Sequence, residues 1–291
     1  MRHRLGAAMV GLLLLSAPLL GQTGKNFLWK VEGEAGGVAY LLGSLHVLTP
    51  EWYPLSATIN QAFAESKTLV EEIDLDEAAD PTLMMAALAK AMLTDGKTLD
   101  HIVAPETYAE VERRAGKSGL PMAALQRMKP WLVAITLMAP MLQTAGFKPE
   151  LGVDRHFFDR AKASGMKRRG LETLAYQLDR FDQLSPRLQE DLLKTTMEEL
   201  DIAVAGVTEM AQAWASGNVA AMEKLTLAAL QESPELYKRL LLERNANWVP
   251  HVENCLKEKA GCFIVVGAAH LVGSDGLPTL LANKGYKVTQ Q

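Results

Sequence analysis

The sequence predicts an α/β fold with a mixed central sheet and long helical insertions, rich in helix and forming a single domain. Strand-like segments are few and lie at the two ends of the chain and in its middle, and the stretches between them have apolar residues at helical spacing. Only 6% of the 291 residues are aromatic, while methionine and alanine are plentiful, which favours helices over a β-sandwich. Because no linker rich in Pro, Gly or Ser divides the chain, we expect residues 22–291 to form one domain.

The first residues are typical of a secretory signal peptide. Basic Arg2 and Arg4 precede an uncharged apolar run that Pro18 interrupts. We predict that residues 1–21 are a signal peptide and that the mature protein is periplasmic or secreted. An uncleaved anchor is the alternative, because Leu19 is larger than the small residue preferred two positions before a cleavage site.

The charge of the mature chain argues against nucleic acid as a partner. Residues 1–21 contain two arginines and no acidic residue, so their removal changes the formal net charge from -4 to -6. The remaining chain has no basic stripe with interleaved aromatic residues, which nucleic-acid binding would require. We therefore expect a peptide or small-molecule substrate instead.

Alternating and apolar runs bounded by turn residues predict six strands. The first two flank the Gly-rich turn GEAGG and are expected to form a hairpin. The predicted strands are Phe27–Val31, Val38–Leu42, Thr68–Ile73, Met166–Leu171, Cys262–Gly267 and Tyr286–Thr289. Helical periodicity predicts helices over Pro54–Ser66 and over residues 81–93, 105–117, 153–164, 187–214, 218–231 and 233–256.

Residues 130–147 are the most hydrophobic internal stretch. Pro140 interrupts the run and Gln143 follows, which favours a core helix or a helix–helix interface over a membrane span. We expect no stable membrane span in the mature chain, and a homodimer formed through residues 130–147 is a possible assembly.

The two cysteines, Cys255 and Cys262, lie in the link between a helical segment and an apolar strand. In an exported protein this spacing favours a disulfide, and two thiols alone cannot complete a zinc site. Two buried free thiols are the alternative. A disulfide here would clamp the strand that leads to His270.

Two G-x-x-H motifs follow buried apolar strands, one at Gly43–His46 and the other at Gly267–His270. Side chains just beyond the carboxyl ends of strands converge on a shared crevice in α/β sheets, so the two histidines are expected to meet. The alternative is that each imidazole only hydrogen-bonds a loop carbonyl. The chain has no Walker loop, G-x-S-x-G elbow or H-E-x-x-H helix, which removes three common enzyme classes.

The third strand ends in VEEIDL, where alternation places Glu72 and Asp74 on one face and Glu71 on the other. We interpret Glu71 as a solvated or salt-bridged surface residue. His46, Glu72 and His270 together offer the nitrogen and oxygen ligands that suit manganese, cobalt or zinc, with positions open to water.

Three further polar residues are candidates for the same crevice. Glu172 could be a ligand, a general base or part of a helix cap through Thr173. Arg244 and Asn245 lie in a helical segment where asparagine is unfavourable, so the arginine could stabilise an oxyanion or hold Glu72 and the asparagine could orient a ligand. A surface position for Asn245 is the alternative. Asp154 is expected only to stabilise the start of a helix.

The ordered motifs resemble those of the TraB/GumN family, which includes the animal TIKI proteins. The resemblance runs from FLWKVEGEAGGVAYLLGSLHVL through YPL, VEEIDL, GVDRHF, GLET and ERNANW to FIVVGAAHLVGSDGLPTLLANKGYKV. It implies paired G-x-x-H motifs, matched by His46 and His270, and a strand-end acid, matched best by Glu72. TIKI proteins are described as divalent-metal-dependent proteases acting on Wnt ligands, and related folds include erythromycin esterases and a haem-binding lipoprotein.

These observations predict an exported metal-dependent hydrolase, with a peptidase as the narrower form. His46, Glu72 and His270 would hold the ion and activate water, Arg244 and Asn245 would stabilise the developing oxyanion, and Glu172 is a further candidate for proton transfer. The alternative is a non-catalytic module of the same fold that binds haem, a metal or a peptide.

Overall fold

The fold is described by a computed structural model covering residues 24–34, 36–258 and 261–291. The predicted signal peptide lies outside the described residues. Six strands form one sheet in the order β4-β3-β5-β2-β1-β6. Their bounds are β1 (Leu28–Glu32), β2 (Val38–Ser44), β3 (Thr68–Glu71), β4 (Lys167–Gly170), β5 (Cys262–Gly267) and β6 (Lys287–Gln290).

The sheet is mixed, which confirms the predicted fold class. Strands β4, β3, β5 and β2 run parallel, whereas β1 pairs antiparallel with both β2 and β6. In this register Ser44 lies opposite Gly267 and Glu71 lies opposite Val265. The carboxyl ends of β2, β5 and β3 therefore lie side by side at one edge.

Helices fill most of the chain between the strands, as the periodicity predicts. Several begin at a proline or at a capping hydroxyl, such as Pro105 at the first turn of one helix and Ser56, whose Oγ accepts the N–H of Ile59. The helices are α1 (Ala57–Glu65), α2 (Leu75–Ala79), α3 (Pro81–Ala91), α4 (Pro105–Ser118), α5 (Met122–Leu125), α6 (Pro130–Thr144), α7 (Val153–Ser164), α8 (Leu174–Asp182), α9 (Pro186–Glu199), α10 (Ala203–Ala215), α11 (Val219–Gln231), α12 (Pro234–Tyr237), α13 (Glu243–Glu258) and α14 (Leu277–Asn283).

The prediction of one helix over residues 187–214 is wrong, because the chain turns at residues 200–202 and forms α9 and α10 instead. The two halves differ in their main partners. Helix α9 packs mainly against α6 and also against α4, whereas α10 packs mainly against α11, contacts α6 less extensively and places Trp214 at the end of β2. A straight helix of that length, about 1.5 Å per residue, could not follow both.

Helix α13 continues from α12 through a π-helical segment, Lys238–Leu242. Such segments are rare overall but frequent at functional sites. Arg244 and Asn245 come directly after it and are both buried. The surface alternative for Asn245 is therefore wrong.

Two apolar clusters stabilise the domain. The larger contains β1, β2, β3 and β5 with residues of the helices that cover the sheet. The smaller joins residues of α4, α5, α6 and α9 and includes Val133 and Leu137. Helix α6 thus has a core face, as predicted for residues 130–147. Within the described residues, none of the helices is long and apolar enough to cross a membrane.

The predicted disulfide is confirmed, since Cys255 and Cys262 are bonded. The bond joins the last turns of α13 to the first residue of β5. It therefore ties the helix that carries Arg244 and Asn245 to the strand that leads to His270.

Candidate functional site

The candidate site lies at the edge of the sheet where β2, β5 and β3 end. His46 follows β2 by two residues, Glu72 directly follows β3, and His270 lies in a 3-10 turn, Ala268–Leu271, after β5. Because these strands are parallel neighbours, their carboxyl ends share one crevice. The structure brings together the three residues that the sequence predicts as metal ligands.

The backbone of Gly267 lies among these three side chains. A Cβ atom on Gly267 would be 3.2 Å from Oε1 of Glu72, 3.6 Å from Cδ2 of His270 and 3.8 Å from Nε2 of His46. Both imidazoles therefore border one small space, and the missing side chain of Gly267 keeps that space open.

Glu72 is buried, and both of its oxygens accept hydrogen bonds. Oε1 accepts the backbone N–H of Gly267 at 2.7 Å, and Oε2 accepts from Nη2 of Arg244 at 2.5 Å and from Nε2 of Gln177 at 2.8 Å. Burial alone would raise the pKa of Glu72, but the positive charge of Arg244 and the neighbouring imidazoles hold it well below its usual range. Glu72 is therefore a carboxylate.

Arg244 links Glu72 to a second buried carboxyl group, that of Glu172. Nε and Nη2 of Arg244 lie 3.0 and 2.7 Å from Oε1 of Glu172. Nε1 of Trp248 donates to Oε2 of Glu172 at 3.2 Å, and Cζ of Arg244 is 4.6 Å from the centroid of the Trp248 ring. The hydroxyl of Thr173 caps α8, so the cap does not need the Glu172 side chain and its carboxyl group can take part in the site. Burial raises the pKa of Glu172, although the ion pair with Arg244 opposes this effect.

His270 is held in a fixed orientation. Its Nδ1 is 2.6 Å from Oδ1 of Asn245, and Nδ2 of Asn245 donates to the carbonyl of Asp275 at 2.7 Å. Because an amide oxygen only accepts, Nδ1 of His270 carries the proton and Nε2 has the lone pair. Nη1 of Arg244 lies 3.1 Å from that Nε2. Burial lowers the pKa of His270 to about 3, so the ring is neutral.

His46 is oriented by Asp154, which sequence reasoning assigned only to a helix start. Oδ1 of Asp154 lies 3.3 Å from Nδ1 of His46 and accepts the hydroxyl of Ser44 at 2.7 Å. Desolvation opposes protonation of His46, but the hydrogen bond and charge of Asp154 outweigh it and raise the pKa. Since 64% of the His46 side chain is exposed, solvent screening weakens this shift.

The surface interpretation of Glu71 is wrong, because its residue exposure is only 3%. Strand β3 lies between the parallel strands β4 and β5 and all four of its residues are buried, so alternation gives no solvent face here. Oε1 of Glu71 has no hydrogen-bond partner among the described residues. Burial, followed by the charges of Asp154 and Asp74, raises the pKa of Glu71 to about 9. Glu71 lines a cavity of about 230 Å³ that it shares with His46 and Asp154.

The fold and the site define a mixed α/β domain with a polar centre at the carboxyl ends of its parallel strands. The chain belongs to the TraB/PrgY/gumN family, whose family model matches residues 27–290. No curated protein and no solved structure gave a match. Because the family model matches residues 27–290, the family assignment covers nearly the whole chain.

Proposed function

We propose that the protein is an exported hydrolase whose reaction centre contains His46, Glu72 and His270, and that these three residues bind a divalent manganese, cobalt or zinc ion. The observation that carries the proposal is that Nε2 of His46, the His270 ring and Oε1 of Glu72 all border the space beside Gly267. Such a donor set of two imidazoles and one carboxylate is the kind found in catalytic metal sites.

The surroundings of the two imidazoles fit an ion. Both Nδ1 atoms have an acceptor, Asp154 for His46 and Asn245 for His270, and such outer acceptors orient metal-binding histidines through Nε2. One contact competes, because Nη1 of Arg244 occupies the lone pair of Nε2 in His270. In this arrangement no group of three His, Cys, Asp or Glu side chains in the described chain is positioned to hold an ion. Binding therefore requires Arg244 to release Nε2 while keeping its carboxylate partners.

Each neighbouring residue has a role that follows from its contacts. When bound, a divalent ion acidifies water and polarises a carbonyl or ester oxygen. Arg244 holds Glu72 and Glu172 in place and supplies a positive charge beside a developing oxyanion. Asn245 orients His270. Glu172 is the lower-ranked candidate for proton transfer, since its pKa is raised by burial.

Export is supported by the disulfide as well as by the N-terminal sequence. Disulfides persist in oxidising compartments such as the periplasm and the extracellular medium. The bond between Cys255 and Cys262 is consistent with that environment. Mass spectrometry of the protein recovered from its native compartment would give the mature N-terminus, which we expect near residue 22.

The metal proposal is tested by elemental analysis of chelated protein reloaded with manganese, cobalt or zinc and then dialysed. We expect about one ion per chain in the wild type and a loss of retention on the order of tenfold or more in His46→Ala and His270→Ala, because each removes a ligand. His251→Ala is the matched control, since His251 is exposed on α13 and does not line the cavities that contain His46 and Glu72. Equal metal retention in all four proteins would contradict the proposal.

A second candidate function is a non-catalytic module that binds haem, a metal or a peptide. The apolar space beside His46 favours it, because that space is large enough for a sizeable ligand. A panel of peptides and esters, assayed with each metal, separates the two functions. Metal-restored turnover that is lost in Glu72→Gln supports the hydrolase, whereas stoichiometric haem uptake without turnover supports the binding module.

A further inference from the structure

A large apolar groove leads away from His46, and the proposed reaction centre does not use it. We call it the α6–α10 groove, after two of the helices that border it. Its volume is about 1130 Å³. Half-buried Met138 and Leu142 of α6 and Val207 and Met210 of α10 line its walls. His46 lines both this groove and the smaller cavity beside Glu72, so the groove opens directly onto the candidate site.

We propose that the α6–α10 groove binds the acyl chain of a long-chain ester and places its carbonyl carbon beside His46. This inference rests on the proposed hydrolase and names its substrate class. In the reaction, the oxygen of water bonds to the acyl carbon, the ester C–O bond breaks, and the alcohol leaves with a proton, so the products are a fatty acid and an alcohol.

The distribution of polar groups favours an acyl chain over a peptide. Apart from His46, the polar side chains of the groove are Gln143, Lys148 and Glu150, and all three are exposed to solvent. A buried peptide would need partners for each N–H and C=O group, and leaving them unpaired is costly. An acyl chain carries polar atoms only at its carbonyl end, which would lie at the polar end of the groove.

The size and composition of the walls also suit a flexible chain. The groove volume of about 1130 Å³ lies slightly above the usual range for small-molecule sites, about 300–1,000 Å³. Met138 and Met210 have unbranched, polarisable side chains that adapt to ligands of variable shape. On α6, Ile135 is 48% exposed even though the opposite face of the helix is packed in the core. Covering such an apolar side chain with a ligand is favourable.

Binding is tested without turnover by titrating the full mature chain with the fluorescent fatty acid cis-parinaric acid. Ala139 is exposed on α6 and lines the groove, so Ala139→Trp fills the groove without replacing a core residue. We expect this variant to bind the probe about tenfold more weakly, because the indole occupies the space of several methylene groups. Met85→Trp is the control, since Met85 is 65% exposed on α3 and does not line the groove; it should bind like the wild type.

A second and separate readout is the hydrolysis of p-nitrophenyl esters whose acyl chains have two to twelve carbons. The value of kcat/KM should rise by up to about fourfold per added methylene until the groove is filled, and Ala139→Trp should shift the optimum to shorter chains. Binding of the probe without hydrolysis of any ester or peptide, with each metal added, would support the groove as an acyl site and overturn the proposed hydrolase. A kcat/KM that does not depend on chain length, together with no probe binding, would overturn the acyl site and leave the proposed hydrolase in place.

Two other occupants would also overturn the inference. A capped octapeptide of leucine and alanine that displaces the probe more strongly than dodecanoic acid does would indicate a peptide groove. A dimer in sedimentation velocity that becomes monomeric in Ala139→Trp, together with no probe binding to the wild type, would indicate that a second copy covers this face.

Discussion

One buried arginine contacts two carboxyl groups in the candidate site. The side chain of Arg244 contacts Glu72 and Glu172, and all three side chains are almost completely buried. Removing the guanidinium would leave buried charge without a partner. We expect Arg244→Met to lower the free energy of unfolding by about 3–5 kcal/mol, measured by urea denaturation at pH 7.

The control for this variant is a surface arginine with an ordinary ion pair. Arg155 pairs with Asp159 on α7, and both side chains are about half exposed. Arg155→Met should change the free energy of unfolding by less than about 1 kcal/mol. Adding Glu172→Gln to Arg244→Met should restore part of the lost stability, because it removes one of the unpaired carboxyl groups. Equal effects of the two arginine substitutions would contradict this account of the site.

The buried carboxyl group of Glu71 should make stability depend on pH. Its pKa rises from 4.5 to about 9 on folding, so between these values the native state holds a proton that the unfolded state has lost. The contribution of Glu71 to the free energy of unfolding therefore decreases as pH rises between these values. We expect Glu71→Gln to be more stable than the wild type by on the order of 2 kcal/mol near pH 8 and by little near pH 4.

Urea denaturation of both proteins at several pH values measures this difference. Glu209→Gln is the matched control, because it makes the same substitution at an exposed position in the middle of α10. A difference between Glu71→Gln and the wild type that stays constant from pH 4 to pH 8 would show that Glu71 is ionised in the native state.

The strand-end residues were predictable from sequence, whereas their orienting partners were not. His46, Glu72 and His270 each follow an apolar run, and such runs mark parallel strands whose ends meet. Asp154 is distant in sequence from His46, and its position as an acceptor depends on how α7 docks against the loop after β2. The burial of Glu71 likewise depends on helices covering both faces of β3, which strand alternation alone does not indicate.

At the scale of elements, the disulfide connects the two segments that position His270. It links α13, which supplies Asn245 and Arg244, to β5, which ends next to His270. We expect dithiothreitol to lower the free energy of unfolding by about 2–3 kcal/mol, because the short loop closed by the bond gains conformational freedom in the unfolded state.

Chemical denaturation with and without reductant measures this loss. A Cys255→Ala/Cys262→Ala variant should be insensitive to dithiothreitol, which separates loss of the bond from other effects of the reagent. If the wild type were equally stable in both conditions, the disulfide would contribute nothing to holding α13 on β5.

Element boundaries show which local signals the sequence carries. The strand Cys262–Gly267 was predicted to the residue, because four consecutive apolar residues are bounded by a loop and by glycine. The break between α9 and α10 was missed, since no proline or glycine stands at residues 200–202. The break follows from tertiary contacts instead, since α9 packs mainly against α6 and α10 packs against α11 and bonds Gly43 through Trp214.

For the whole molecule, two apolar clusters of unequal size imply unequal local stability. The larger cluster includes the central strands, and the smaller joins α4, α5, α6 and α9. Local opening requires less free energy where fewer apolar side chains are buried. The smaller cluster includes α6, whereas Met210 and Trp214 of α10 pack with the larger one, so we expect the α6 wall of the α6–α10 groove to be the wall that adjusts to a ligand.

Hydrogen exchange measures this difference along the whole chain. Amides of α6 and α9 should exchange by local opening at a lower free energy than those of β2 and β5, because β2 and β5 lie in the centre of the sheet and their amides contact water only when the larger cluster opens. A ligand bound in the groove would stabilise the closed layer, so a fatty acid should slow exchange in α6 more than in β5. If α6 and β5 were equally protected and opened together, the domain would unfold as one cooperative unit, and the two clusters would have no separate stability.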